Sequence, residues 1–416
     1  MNKKNFCWNV VGSLTNAATS LFLLIIVKRV NGANLAGVFS FAFTFSLLVQ
    51  VIGSYSGRSY QVTETDDEIF DSDYVYCRFF TCMLMLIFSA LFLFLKNYSF
   101  NKNLIIVFLI FYRVIESISD VLYGIIQRNE KLYQVGISLF LKGFLMVFFF
   151  LLVDMTTNNL LLSILILFVV NILLLLFYDC KNVKKCSFVL NKFNKNNLIK
   201  ILKGGFFVFV FYFLIQYVLN APKYSIDNYL SSNDQFIFGI LLMPSTLIGL
   251  LSQFFVQPFL NEITAYVKDS RYNELNKLNI KISFLLVICL IFIEIVAYFV
   301  GVPVLNFVYN TKLEIYKNSL LIIVFGAMFF GLSYLISTSL IAMRKNFIQA
   351  IIYLFVSIFA FFISDIFVRK HQIFGASLSY LITMVLLVIL YVGIYVYYVI
   401  KEGNKNEKSI DNNSNL

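Results

Sequence analysis

Charge and reactive side chains are scarce in this 416-residue chain: 13% of its residues are Asp, Glu, Lys or Arg, and it has one His and four Pro. The lone histidine, His371, has no partner at metal-ligand spacing. The cysteines Cys7, Cys77, Cys82, Cys180, Cys186 and Cys289 form no CxxC. A zinc site, a disulfide framework and thiol catalysis are therefore not indicated. No stretch between apolar runs is long enough to fold as an extramembrane domain. The N-terminal run "MNKKNFCWNVVGSLTNAATSLFLLIIVKRV" lacks a small-residue cleavage site and continues through a length that spans a bilayer, so it reads as a retained first helix. What fills the chain is apolar: 60% of residues are hydrophobic, with 48 Phe and 25 Tyr. A soluble domain of this size could not cover so much apolar surface, which makes this an integral membrane protein.

Apolar runs of about 20 residues predict helices near 9–30, 35–56, 75–95, 104–126, 132–153, 159–178, 204–220, 235–257, 282–302, 319–341, 347–367 and 374–399. The expected fold class is an all-α membrane protein of about twelve transmembrane helices in two six-helix lobes. The lobes are placed at 1–178 and 204–400, with a basic linker at 179–203 and a polar tail at 401–416 in which no regular structure is expected. Lys and Arg concentrate on the side that holds both termini, including seven lysines between Lys181 and Lys203. By the positive-inside rule both termini are expected in the cytoplasm. The basic linker reads first as an anchor on anionic lipid heads. "GIIQRNEKLYQVGISL" and "SLIAMRKNFIQAIIYL", six helices apart, align Arg128 with Arg344 and Gln134 with Gln349 across a one-residue gap. Parallel six-helix repeats fit this pattern, as in transporters that rock two halves around a central site.

The charges inside apolar runs carry most of the functional signal, because an ionised group in hydrocarbon persists only where it is paired, wetted or useful. In the fourth run, "RVIESISD" puts Arg113, Glu116 and Asp120 on one helical face. The corresponding positions of the second half are Phe329, Leu332 and Ile336, so the fold does not require charge at that layer. Two readings stand: an ion cluster locking the helix to its neighbours, or a site for substrate or a coupling ion. Arg78 and Lys28 lie near helix ends and are expected to snorkel to the interface, whereas Lys142 is too deep for that. Glu294 is the deep acid of the second half. Asn9, Ser13, Asn16 and Ser20 form a polar stripe on the first helix, and Gln253 and Gln257 sit between Pro244 and Pro258; each set either lines water or lets helices approach closely. Arg29, Arg113, Lys142 and Lys223 together make a cationic set suited to an anionic substrate. Glu116, Asp120 and Glu294 are candidates for charge balance or ion coupling.

Several segments resemble a known family. "KRVNGANLAGVFSFAF" is similar to the loop after the first helix of bacterial polysaccharide-transporter (Wzx-type) flippases. "GRSYQVTETDDEIFDSDYVYCR" resembles the Arg-x-x-Gln-Val segment and acidic loop of one branch of that family, "LYGIIQRNEKL" the motif after its fourth helix, and "NAPKYSIDNYL" the segment closing its seventh. The resemblance covers essentially the whole chain. It implies the fold of the multidrug/oligosaccharidyl-lipid/polysaccharide exporter superfamily, without enzymatic chemistry. It also implies transport of undecaprenyl-pyrophosphate-linked oligosaccharide repeat units across the cytoplasmic membrane for O-antigen or capsule synthesis. Arg29 and Lys223 match its basic motif positions; Arg113, Glu116 and Asp120 belong to no signature of it. The implied partners are the lipid-linked substrate, membrane lipids and other polysaccharide-assembly proteins, with no cofactor beyond a coupling proton or sodium ion. The alternatives are another transporter of that fold, carrying lipid II or drugs and cations, or a membrane polymerase or glycosyltransferase.

Overall fold

A computed structural model describes residues 3–414 apart from 65, 67 and 187, with the backbone alone at 3, 59 and 402–414. The described residues form helices and turns with no strand. The chain divides into two compact units, Met1–Gln216 and Tyr217–Leu416.

The first unit contains α1 (Lys3–Asn31), α2 (Ala33–Ser54), the short α3 (Gly57–Val62), α4 (Asp71–Lys96), α5 (Phe100–Arg128), α6 (Leu132–Thr157) and α7 (Leu160–Leu174). A π turn, Leu175–Asp179, joins α7 to α8 (Cys180–Lys184), and α9 (Lys195–Tyr229) carries the chain into the second unit. That unit continues with α10 (Ser232–Leu241), α11 (Met243–Val256), α12 (Leu260–Lys268), α13 (Tyr272–Val296), α14 (Val302–Tyr309), α15 (Lys317–Ala342) and α16 (Asn346–Ser414). Polar residues mark the helix ends. Asn97 and Asn158 close α4 and α6 in the left-handed conformation that asparagine tolerates, Asn159 caps α7 by accepting from Leu161 and Leu162, and Ser231 with Asp234 forms a capping box on α10.

Among the described residues, ten helical runs are long and apolar enough to cross a membrane. Non-helical angles at Gln372 divide the last of these into two. α5 is not among the ten because Lys102, Arg113, Glu116, Asp120 and Arg128 break its apolar composition, although its length of 29 residues suffices. Twelve spans follow, matching the apolar runs. The backbone at 402–414 continues α16, where polar composition predicts no regular structure; extending an existing helix needs no new nucleus.

With lipid outside, close packing rather than water exclusion joins the helices. α1 lies against α6 at Gly12 and Gly136, where a Cβ on Gly136 would come within 2.2 Å of the Trp8 carbonyl oxygen and one on Gly12 within 2.2 Å of the Gly136 oxygen. α5 is the hub of the first unit, burying Ile105, Ile106, Leu109 and Ile110 among α2, α4 and α7. In the second unit α15 packs on α11, α13 and α16, with Tyr380 filling the space beside Gly326. Side chains such as Phe94, Phe177 and Phe307 point outward, as expected of surfaces that meet hydrocarbon. Part of the segment expected as a linker is core of the first unit: Val183, Cys186 and Ile201 pack with Tyr74, Val121 and Ile125.

Candidate functional site: a charge-paired cavity in the first unit

A cavity of about 580 Å³ opens within the first unit. It is lined by Asn16 of α1, Leu47, Gln50, Val51 and Ser54 of α2, and Tyr55, Gly57 and Arg58 around the start of α3. Arg113, Glu116, Ser119, Asp120 and Tyr123 of α5, Leu139 and Lys142 of α6, and Tyr212, Ile215 and Gln216 of α9 complete it. Its volume is in the range of small-molecule sites, and its wall is far more polar than the surrounding helices.

Apart from Arg58, the acids and bases at this wall fall into three ion pairs. Arg113, 5% exposed, donates through Nη1 to Glu116 Oε2, one helical turn away, and through Nε to Ser46 Oγ at 3.3 Å. Phe43 and Tyr112 place their rings 4.5 and 4.8 Å from its guanidinium carbon, so aromatic faces replace part of its hydration. Glu116 also accepts from the Tyr112 hydroxyl at 2.6 Å and from Gln50 at 3.3 Å.

Asp120 pairs with Arg78 of α4, Nη2 to Oδ2, at 3.3 Å. The expectation that Arg78 snorkels to the interface is therefore corrected: it is buried. The end of α2 explains why. The last carbonyls of a helix have no partner within it, and Gly53 near the C-terminus of α2 receives Arg78 Nη1 at 2.9 Å and Thr81 Oγ1 at 2.7 Å. A cation there also meets the negative end of the helix dipole.

Lys142, 3% exposed, spends all three ammonium protons: on Ser119 at 2.6 Å, Tyr123 at 2.7 Å and Asp179 Oδ2 at 2.7 Å. Ser138 donates to the other oxygen of Asp179 at 2.6 Å and lies 2.8 Å from the Tyr123 hydroxyl. Because an ammonium can only donate, Tyr123 must donate to Ser138, and the ring Lys142, Tyr123, Ser138, Asp179 closes with every proton used. Asp179 is the last residue of the π turn, where the Cys180 amide bonds the Leu175 carbonyl instead of that of residue 176. The extra residue in that turn sets the rotation at which Asp179 leaves the helix, a distortion frequent at functional positions.

Asn16, Arg113, Glu116, Asp120 and Lys142 thus share one cavity wall. Arg29 is exposed in the last turn of α1; Ser13 is exposed, Asn9 and Ser20 are half-buried, and the Ser20 hydroxyl bonds the Ala17 carbonyl at 3.2 Å. The other predicted residues lie in the second unit. Lys223 is buried in α9 beside Pro222, Gln253 and Gln257 are exposed, and Glu294 is half-buried with Oε2 enclosed. Of the apolar counterparts in α15, Ile336 is buried and Phe329 and Leu332 are half-buried. Among the described residues no group of three or more His, Cys, Asp and Glu could hold a metal.

Sequence reasoning overlooked Asp179, Arg58, Gln50, Tyr112 and Tyr123 at the wall or beside it. A signal for Asp179 existed: Lys142 has no acid on its own helix face, so its partner had to come from another helix. Arg58, in the Arg-x-x-Gln-Val segment, lines the cavity and makes no ion pair among the described residues.

No family model matches the chain. It is 24% identical over 404 residues to the capsular polysaccharide biosynthesis protein CapF of Staphylococcus aureus, covering 95% of this chain and 98% of that one. Among solved structures it is similar to an inward-facing multidrug resistance MATE family transporter of the MOP superfamily, with TM-score 0.75, 10% identity, and coverage of 95% and 96%. It is likewise similar to the lipid II flippase MurJ in an inward closed conformation, with TM-score 0.72, 15% identity, and coverage of 95% and 89%. A third likeness is to the Vibrio cholerae MATE transporter VcmN in its bent form, with TM-score 0.62, 10% identity, and coverage of 96% and 97%. This chain is a multi-pass membrane protein with the all-α fold of the MOP-superfamily transporters.

Proposed function

We propose that this protein is a flippase that moves undecaprenyl-pyrophosphate-linked oligosaccharide repeat units across the bacterial cytoplasmic membrane by alternating access, for surface polysaccharide synthesis. The observation that carries this reading is a polar cavity, walled by paired charges, inside a helical unit that is otherwise apolar. Similarity to a capsular polysaccharide protein over nearly the full length of both chains supports the choice of cargo.

Sugar hydroxyls both donate and accept, and the wall offers both kinds of partner: Asn16, Gln50, Gln216, Ser54, Ser119 and the tyrosines Tyr55 and Tyr212. For the pyrophosphate, the cavity presents two guanidinium groups with capacity to spare. Arg113 Nη2 is buried without a hydrogen-bond partner, and Arg58 lacks an ion pair among the described residues. Guanidinium is suited to phosphate because it donates two parallel hydrogen bonds. Lys142 contributes through its ring with Asp179, and Arg29 and Lys223 serve as anion contacts outside the cavity wall. Glu116, Asp120 and Glu294 are the sites for charge balance or for a coupling proton or sodium ion. Both termini lie in the cytoplasm, and the protein works beside other assembly proteins rather than as an enzyme. A drug or cation exporter is the weaker reading, because such cargo calls for a wall with acids in excess, whereas Arg58, Arg113 and Lys142 outnumber Glu116 and Asp120 there.

The test compares Arg58→Ala, Arg113→Ala and Arg113→Lys with the parent at matched membrane abundance. Cells should lose surface polysaccharide and accumulate lipid-linked intermediates on the cytoplasmic leaflet. Full export with both alanine variants would remove these residues from the substrate site, and a deletion strain that accumulates no lipid-linked oligosaccharide would end the reading.

A further inference from the structure

The connection between two candidate spanning runs, Leu160–Lys184 and Lys195–Tyr229, is short, so residues 185–186 and 188–194 stay close to the ends of both. Residues 188–194 have no regular secondary structure, and their side chains are of two kinds. Val189, Leu190 and Phe193 are 69%, 58% and 55% exposed, an unfavourable arrangement in water. Lys181, Lys184, Lys185, Lys192 and Lys195 are all exposed as well. From Cys180 to Lys203 there is no Asp or Glu. Among the described residues, ion pairs from elsewhere reach one lysine of the stretch: Lys200 pairs with Asp66 at 3.4 Å and Glu68 at 2.7 Å.

The strip is nevertheless fixed in place. The Tyr76 hydroxyl of α4 donates to the Asn191 carbonyl at 2.9 Å, and its ring meets Phe193 edge-on at 5.5 Å. Lys131 donates to the Lys185 carbonyl at 3.1 Å. A pinned strip at the ends of two candidate spanning runs, with apolar groups and unneutralised ammonium groups both pointing outward, is complementary to a headgroup layer: acyl carbon on one side, phosphate on the other.

We propose that residues 181–186 and 188–195 form a docking strip for anionic phospholipid, with Val189, Leu190 and Phe193 entering the acyl boundary and the five lysines holding the headgroups. α9, which supplies Tyr212, Ile215 and Gln216 to the cavity, begins at the end of this strip, so lipid bound there fixes the start of a cavity-lining helix.

The test uses the full chain reconstituted in phosphatidylcholine vesicles. Because the sequence has one tryptophan, Phe193→Trp in a Trp8→Phe background places a single reporter in the strip. Brominated phosphatidylglycerol should reach half-quenching at about fivefold lower mole fraction than brominated phosphatidylcholine, the enrichment expected from one lysine's attraction to an anionic surface. The preference should vanish when the five lysines are changed to glutamine, and also, with the lysines intact, in about 1 M salt, where the screening length is about 3 Å. The salt arm stands even where the five-site variant fails to fold. Equal quenching by the two lipids would overturn the proposal, and so would quenching by aqueous acrylamide with none by either lipid, the result expected if the strip faces solvent or another protein.

Discussion

Removing Asp179 strands a lysine. Lys142 is 3% exposed and Asp179 fully buried, and among the described residues the ammonium has no other carboxylate within bonding distance. Taking away one member of a buried pair costs about 3–5 kcal/mol, because the charge left behind has lost its compensation. Asp179→Ala should therefore destabilise the protein by about that much. Asp179→Asn should cost less, because its amide oxygen still accepts from Lys142 or Ser138, and the difference between the two variants separates hydrogen bonding from net charge. Lys142→Met alone leaves the Asp179 carboxylate with Ser138 as its remaining donor and should cost a similar amount. Lys142→Met with Asp179→Leu removes both charges and should recover most of the loss, since a buried ion pair and an apolar pair of similar volume are often close in stability. Unfolding in mixed micelles titrated with SDS, followed by helical circular dichroism and with Asp179→Leu alone as the remaining corner, closes the double-mutant cycle. Effects of the two single changes that add within about 0.5 kcal/mol would refute the pair as an energetic unit.

Three further outcomes follow from local geometry. Gly136→Leu should separate α1 from α6, because even a Cβ there meets the Trp8 carbonyl at 2.2 Å; a monodisperse gel-filtration profile at parental yield would contradict the backbone contact. Arg78→Lys should cost about 1–3 kcal/mol in the same SDS titration, because an ammonium lacks the fork that serves Asp120 and the Gly53 carbonyl together, while Arg78→Met with Asp120→Asn should be milder than Arg78→Met alone. At the surface, the Glu68 amide, and after it Lys200, hold the Asp66 carboxyl below its ordinary range despite some desolvation. A carboxylate whose folded-state pKa is depressed contributes stability above its unfolded pKa and loses it as pH falls through the folded value. The Lys200 contact should thus persist through neutral pH and loosen only below the ordinary carboxylate range. Intrinsic-rate-corrected hydrogen exchange in 195–204 should rise there, and exchange unchanged down to acid pH would refute it.

The sequence by itself determined that the chain spans a membrane, where its twelve apolar segments lie, and that Arg113, Glu116 and Asp120 share a helical face. These are local properties: length in hydrocarbon and the periodicity of a helix decide them. The Arg113–Glu116 pair is equally local, lying within one turn of α5. Tertiary structure alone decided what the other charges do. Lys142 finds Asp179 37 residues away and Arg78 finds Asp120 42 residues away, through packing of helices whose rotation about their own axes no spacing rule supplies. Asp179 looked like the first residue of a linker until the π turn carried it into the core. Arg78 looked like an interfacial anchor until the unpaired Gly53 carbonyl gave it an interior partner. In hydrocarbon each buried charge must end on a partner, and only the fold says which one.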